Sequence, residues 1–167
     1  LDRPFREISQ AFPGKLRAYL RRHASDQLTP MATDAFVAVC RRELGARAGL
    51  SERDYTVMAR LIREATDRDL GRTYQLREEG ELLAVGFYPE LAGRTINLIA
   101  ASTDRGRKRR GMARLLSLVM AGRCGRAGAV MDFEGSEIPG VRRFFEKFGA
   151  TDEGYWLIEE KAFGLLT

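Results

Sequence analysis

The run from Thr95 to Gly135 reads TINLIAAS, then the basic stretch RGRKRRG passing into MARLLSLVMAGR, then AVMDFEG. A strand, an apolar helix and a second apolar strand in that order form a crossover, and a crossover helix joins parallel strands. The chain just upstream behaves differently. RTYQLREE and ELLAVGFYPE flank Gly80 as a hairpin, and a second turn at Ala92 and Gly93 leads into TINLIAAS. Antiparallel strands feeding one parallel crossover restrict the fold to a mixed sheet flanked by helices.

The remaining elements fit around that sheet. KLRAYLRRHA predicts a short basic amphipathic helix, and Gln27 to Ala32 a short strand. Thr33 and Asp34 give an N-cap signal for AFVAVCRRELGARAG, which stops at Gly49. Ser51 caps the next helix, where Tyr55, Met58, Leu61 and Ile62 recur at helical spacing. AVMDFEG is apolar enough for a strand covered on both faces. Pro139 suits the first turn of a helix ended by Gly149, and DEGYWLIEE reads as a last strand.

With 167 residues the chain fits one domain, and no run is apolar and long enough for a membrane span. The formal charge of +5 favours anionic partners. Cys40 and Cys124 have no metal-ligand spacing, and His23 is the single histidine. Both cysteines read as buried small hydrophobes of a reduced, cytoplasmic protein. The chain opens at Leu1 with no signal-peptide pattern, which suits a fragment of a longer protein.

The basic stretch sits where a strand turns into a helix. Helix N-termini offer free N–H groups and a positive dipole end, so cations gathered there suit an anion. Gly111 leaves room for phosphate oxygens to approach backbone, and Arg107, Lys108, Arg109 and Arg110 surround that spot with charge. A merely solvated face is the bland alternative. Direct nucleic-acid contact is the third, since no aromatic residue is interleaved in the stretch.

RGRKRRGMARLL resembles the pyrophosphate loop of the GNAT acyltransferase superfamily, Gln/Arg-x-x-Gly-x-Gly/Ala, and VRRFFEKFGA resembles that family's Leu-Tyr-Glu-Lys-Leu-Gly-Phe helix end. VMDFEGSEIPGVRRFFEKFGA is similar to a GNAT-like subgroup with an Asp-Phe-Glu-Gly-Ser signature, itself similar to Fem-type aminoacyl ligases with two GNAT-like halves per chain. The resemblance implies an α/β (α+β) fold: a GNAT-like mixed, mostly antiparallel sheet with a central parallel, splayed strand pair. It divides the chain into an N-terminal extension, residues 1–26, and a GNAT-like acyltransferase domain, residues 27–167, as the C-terminal half of a longer protein. It implies acetyl-CoA or another acyl-CoA as donor. Its pantetheine arm would pair with the open strand edge along the backbone of Ile99 to Ser102, with Ile99 and Ala101 as the named contacts, and its pyrophosphate would lie among Arg107, Lys108, Arg109, Arg110, Gly111 and Ala113. With Gly111 and Ala113 at the small positions, Lys108 takes the Gln/Arg position; shifted by one, Arg107 takes it and Arg110 and Met112 replace the small residues.

Acyl transfer to an amine needs a base for the amine, a polarised carbonyl and a proton for the leaving group. The family's frequent acid, a helix Tyr, corresponds here to Phe145, which has no proton to give; its frequent Asn corresponds to Ile138. Asp132, Glu134 and Ser136 follow the parallel strand, where alternation would put the two carboxylates on one side. Glu134 is the candidate base, or else a carboxylate that caps the following turn or pairs with an Arg. Tyr155 is the candidate acid, or else a core residue beside Trp156. Asn97 and Ser102 are candidates to orient an acceptor. Three functions remain open: an acyl-CoA-dependent N-acyltransferase acting on an amine, a Fem-like transferase using charged tRNA and a cell-wall precursor, and a non-catalytic ligand-binding module.

Overall fold

The structure, a computed structural model, describes residues 1–135 and 137–154. Ser136, Tyr155 and most of the expected last strand lie outside the described residues. Two short helices, α1 (Phe5–Ile8) and α2 (Gly14–Arg22), precede a two-residue strand β1 (Thr29–Pro30). Helices α3 (Thr33–Ala48) and α4 (Glu52–Asp67) follow, then strands β2 (Gly71–Glu78), β3 (Glu81–Leu91), β4 (Arg94–Ile96) and β5 (Ile99–Ser102). A short helix α5 (Asp104–Lys108), helix α6 (Gly111–Arg123), strand β6 (Val130–Asp132) and helix α7 (Pro139–Glu146) complete the described chain.

The sheet runs β1-β2-β3-β4-β6, with β5 paired to β3 beyond β4. Every pairing is antiparallel except β4 with β6, which is parallel as the crossover requires. Both hairpins turn through two consecutive left-handed residues, Glu79–Gly80 and Ala92–Gly93. That geometry matches the twist of the flanking strands.

TINLIAAS is two strands rather than one. Leu98 N–H donates to the carbonyl of Phe87, the residue that Ile99 also faces. Two residues therefore oppose one, and this bulge bends the strand at Asn97 and Leu98. Above the bend the chain pairs with β6; beyond it the chain leaves β6 and pairs with β3 alone. The expected splay is this fork between β5 and the residues that follow β6.

Alternation along β3 divides the core. Val85 and Phe87 pack with Phe36, Cys40, Tyr55 and Ile62 of α3 and α4. Tyr88 packs on the other face with Leu116, Val119 and Met120 of α6 and with Phe145 and Phe148. Residues 1–26 join that second layer through Phe12 and Leu16, both buried.

Several local expectations change. Helix α3 begins after Ala32, which caps it without a side-chain hydrogen bond, while Asp34 pairs with Arg63 across to α4. Ser51 does cap α4, in a reciprocal box with Asp54. Leu61 is exposed although Tyr55, Met58 and Ile62 are buried, because only the latter three face the sheet. Strand β6 is three residues long, with Val130 exposed and Met131 and Asp132 half-buried, at the edge of the described sheet. Cys40 is fully buried, which pushes its thiol up to about 12, whereas Cys124 is half-buried.

Candidate functional site

The basic stretch is helical at its start. Thr103 Oγ1 accepts from the N–H of Gly106 and caps α5, and Thr103 itself donates to carbonyls of β3. The turn proper is Arg109 and Arg110, with Arg110 in the left-handed region (φ 47°). Helix α6 then starts at Gly111 with no side-chain cap. The first N–H groups of an α-helix have no intrahelical partner, so this end is left available to an acceptor.

Both glycines of the stretch are fixed by Leu83 of β3. A Cβ at Gly106 would lie 1.7 Å from the Leu83 carbonyl oxygen, and one at Gly111 2.8 Å from Leu83 Cβ. Gly111 therefore has a packing reason independent of any phosphate. The two glycines let α5 and the start of α6 sit directly on β3.

The cations divide into two groups. Arg107 pairs with Asp104 and donates to the Ser102 carbonyl, and Arg105 pairs with Glu79 and Glu81. Arg109 turns inward to Glu78 at 2.8 Å. Lys108 and Arg110 are exposed and make no ion pair among the described residues. All four expected cations are exposed, but only two of them are left without an ion pair among the described residues.

Behind this turn lies an ionic network that sequence reading missed. Arg114 is 2% exposed; it holds Asp26 through two hydrogen bonds of 2.6 and 2.8 Å and Glu78 through one of 2.8 Å. Burial works against its charge, but the hydrogen bonds it donates to both carboxylates outweigh that and raise its pKa. Hydrogen bonds from Arg109 and then Arg114 hold the Glu78 carboxyl below the usual carboxylate range. These residues are far apart in sequence, and the only local signal was an Arg on the apolar run of α6.

The fork supplies the second element. Thr103 N–H donates to Leu83 O, so alternate residues Ala101 and Ile99 also turn their backbone groups to β3. Ala100 and Ser102 then point theirs to the open edge, and the Ser102 carbonyl is the one that Arg107 takes. Within the expected stretch Ile99 to Ser102, the edge therefore presents Ala100 and Ser102, while Ile99 and Ala101, the residues named for the contact, face β3. At the base of the fork Asn97 N–H donates to the Asp132 carbonyl at 2.7 Å, and its side-chain amide donates to the Phe133 carbonyl at 3.3 Å. Asn97 Oδ1 is buried with no partner among the described residues. Ala113 is buried in the α6 layer, where only its backbone could meet a ligand.

Asp132 and Glu134 do not share a strand face. The strand ends at Asp132, and Glu134 is exposed in the left-handed region (φ 54°), with its N–H donating to Asp132 Oδ1. Asp132 itself pairs with Arg94, which also holds Glu153. Phe145 stacks on Phe133 with ring centroids 4.7 Å apart, inside the second core layer. A cleft of about 810 Å³ is walled by Arg94, Asp132, Glu134, Phe145 and Glu153 among others. Neither β5 nor residues 103–113 line it, so Glu134 and the basic turn belong to separate parts of the described surface.

These features suit a pyrophosphate-bearing arm: an uncapped α6 terminus, two outward cations and an open strand edge beside them. No protein-family model matches the chain, and no curated protein matches it in sequence. Solved structures do. FemX superposes with a TM-score of 0.71 at 12% identity over 89% of this chain, which spans 56% of the FemX chain. A protein described as a possible acetyltransferase from Clostridium difficile 630 gives 0.62 at 13% identity, covering 83% of this chain and 98% of that one. A candidate acetyltransferase of the GNAT family from Desulfovibrio desulfuricans gives 0.57 at 16%, covering 77% and 87%. At these identities the likeness is one of fold: the chain has the GNAT fold.

Proposed function

We propose that this protein is an N-acyltransferase that takes an acyl group from acyl-CoA and passes it to an amine. The observation that carries the reading is the fork with its free β5 edge beside the uncapped start of α6. In the proposal the pyrophosphate accepts hydrogen bonds from the N–H groups at Gly111 to Ala113 and meets Lys108. The pantetheine amides pair with the backbone of Ala100 and the N–H of Ser102, whose carbonyl Arg107 holds, which brings the thioester to the base of the fork near Asn97.

The amine nitrogen attacks the carbonyl carbon, the C–S bond breaks, and the thiolate takes a proton. Phe145 cannot supply that proton, and Tyr155 is the candidate that remains. Glu134 is the candidate to receive the amine proton through water, its exposure keeping it in contact with solvent.

The test is calorimetric titration with CoA and acetyl-CoA against wild type, Ala100→Pro and Lys108→Gln. Proline removes an N–H that faces the open edge, so the β3 ladder tolerates it while an arm bound there loses a partner. Micromolar binding that weakens about tenfold in each variant supports the reading, in line with the ~1.4 kcal/mol of one hydrogen bond or charge contact. Folded wild type that binds neither ligand refutes it. The FemX likeness, with the Asp-Phe-Glu-Gly-Ser block, favours a second reading in which charged tRNA is the donor and a cell-wall precursor the acceptor. Binding of aminoacyl-tRNA without CoA binding would select it.

A further inference from the structure

Helix α2 and its C-cap residue His23 place Lys15, Tyr19, Arg22 and His23 at i, i+4, i+7 and i+8, along one stripe. That stripe lies against the basic turn. Tyr19 donates its hydroxyl hydrogen to the carbonyl of Arg109 at 2.6 Å. Its ring carries the Arg110 guanidinium at 5.1 Å from the centroid and the Arg22 guanidinium at 5.8 Å, with the His23 ring at 4.5 Å. The fold thus brings to the turn the aromatic residue that the basic stretch itself lacks.

Two guanidiniums from distant parts of the chain are held on one phenol ring. Neither pairs with a carboxylate among the described residues, although Arg105, Arg107, Arg109 and Arg114 all do. Carboxylates are plentiful near the turn, so this selective lack of pairing leaves a concentrated positive charge. The ring contacts orient both guanidiniums while leaving their N–H edges for an acceptor. Planar N–H forks match the oxygens of a phosphate group. A phosphomonoester carries close to two negative charges at neutral pH and so matches two guanidiniums, whereas each phosphodiester of a nucleic acid carries one.

We infer that Arg22 and Arg110, both set against the Tyr19 ring, form a phosphomonoester site beside the α6 N-terminus, taking a second phosphate of the same ligand whose diphosphate lies at that terminus. The inference rests on the acyl-CoA reading, in which this group is the ribose 3′-phosphate. It gives residues 1–26 a role in donor choice, because Arg22 and the Tyr19 platform come from that segment.

The experiment is calorimetric titration of the intact chain with CoA, dephospho-CoA, adenosine 3′,5′-bisphosphate and 5′-AMP. It is run on wild type, the double variant Arg22→Gln/Arg110→Gln, and Arg21→Gln as an exposed control off the stripe. Circular dichroism melting confirms that each variant is folded. The expected result is CoA binding at least tenfold tighter than dephospho-CoA in wild type and in Arg21→Gln. The double variant loses that preference. Equal binding of CoA and dephospho-CoA by wild type overturns the inference and leaves the acyl-CoA reading standing. Preference for the bisphosphate over 5′-AMP that depends on both arginines, without CoA binding, keeps the site and removes that reading. No binding of any probe overturns both. Single-stranded RNA that binds more tightly than CoA, and loses affinity in the double variant, reassigns the surface to nucleic acid and overturns the inference.

Discussion

Replacing Arg114 by methionine keeps an unbranched apolar stem of similar reach and removes the guanidinium from between Asp26 and Glu78. Three hydrogen bonds go with it, of 2.6, 2.8 and 2.8 Å. The carboxylates stay behind with side chains 13% and 12% exposed, so water solvates them poorly. Breaking a buried ion pair from one side costs about 3–5 kcal/mol, more than the pair is worth against an apolar replacement, because the remaining charge is stranded. Glu78 keeps Arg109, which sets the expectation at the lower end, about 3 kcal/mol. For a chain of this size that corresponds to a fall in melting temperature of roughly 6–12 °C. The assay is urea unfolding followed by circular dichroism, with the midpoint and slope fitted separately. Neutralising the stranded groups as well, in Arg114→Met with Asp26→Asn and Glu78→Gln, should recover a good part of the loss. An Arg114→Met protein within about 1 kcal/mol of wild type would refute the reasoning, since the carboxylates would then have to be hydrated rather than buried.

Four further outcomes are expected. Gly106→Ala should destabilise by about 3 kcal/mol or more, because the new methyl meets the rigid backbone carbonyl of Leu83, whereas Gly122→Ala, with nothing within 4 Å, should stabilise by about 0.5–1 kcal/mol in the same melts. Glu78→Gln should flatten the acid side of the stability profile. The fold favours the charged form of Glu78, so its contribution is complete above about pH 4.3 and is lost as pH falls through the lower folded value; unfolding free energies measured from about pH 6 to 3 would reveal an unchanged profile if this is wrong. Ser51→Ala should cost about 1 kcal/mol by opening the capping box of α4, read as a lower urea midpoint with the same slope. Tyr88→Phe should leave stability unchanged or raise it, since the buried hydroxyl has no partner among the described residues; a loss above about 1 kcal/mol would reveal a bond to a trapped water.

What the sequence made legible was what depends on near neighbours. Gly80 and Gly93 announced the two hairpins, and the apolar strands around MARLLSLVMAGR forced the parallel step. The bulge at Leu98 was hidden, because an extra residue in a strand leaves no mark on composition and only its pairing partner, Phe87, reveals it. Helix α5 was hidden for a different reason. The charges of RGRK drew attention to anions, while the cap that starts the helix is the neighbouring Thr103. The candidate site was less legible than the fold. Partners decide which cations are engaged and which are not: distant Glu78 engages Arg109, neighbouring Asp104 engages Arg107, and Lys108 and Arg110 have no ion pair among the described residues. Glu134 was placed by extrapolating strand alternation two residues past the point where the strand stops.

The extra residue at Leu98 also separates two duties within one nine-residue run. Residues 94–96 hold the parallel partner, and residues 99–102 border the fork. Deleting Leu98 would bring the two halves into phase, straightening the run so that pairing with β6 could continue past Asp132 and zip the gap shut. One amino acid therefore stands between a GNAT fold with an opening and a seamless sheet, and shortening the chain there would abolish the opening while making the fold, if anything, more regular.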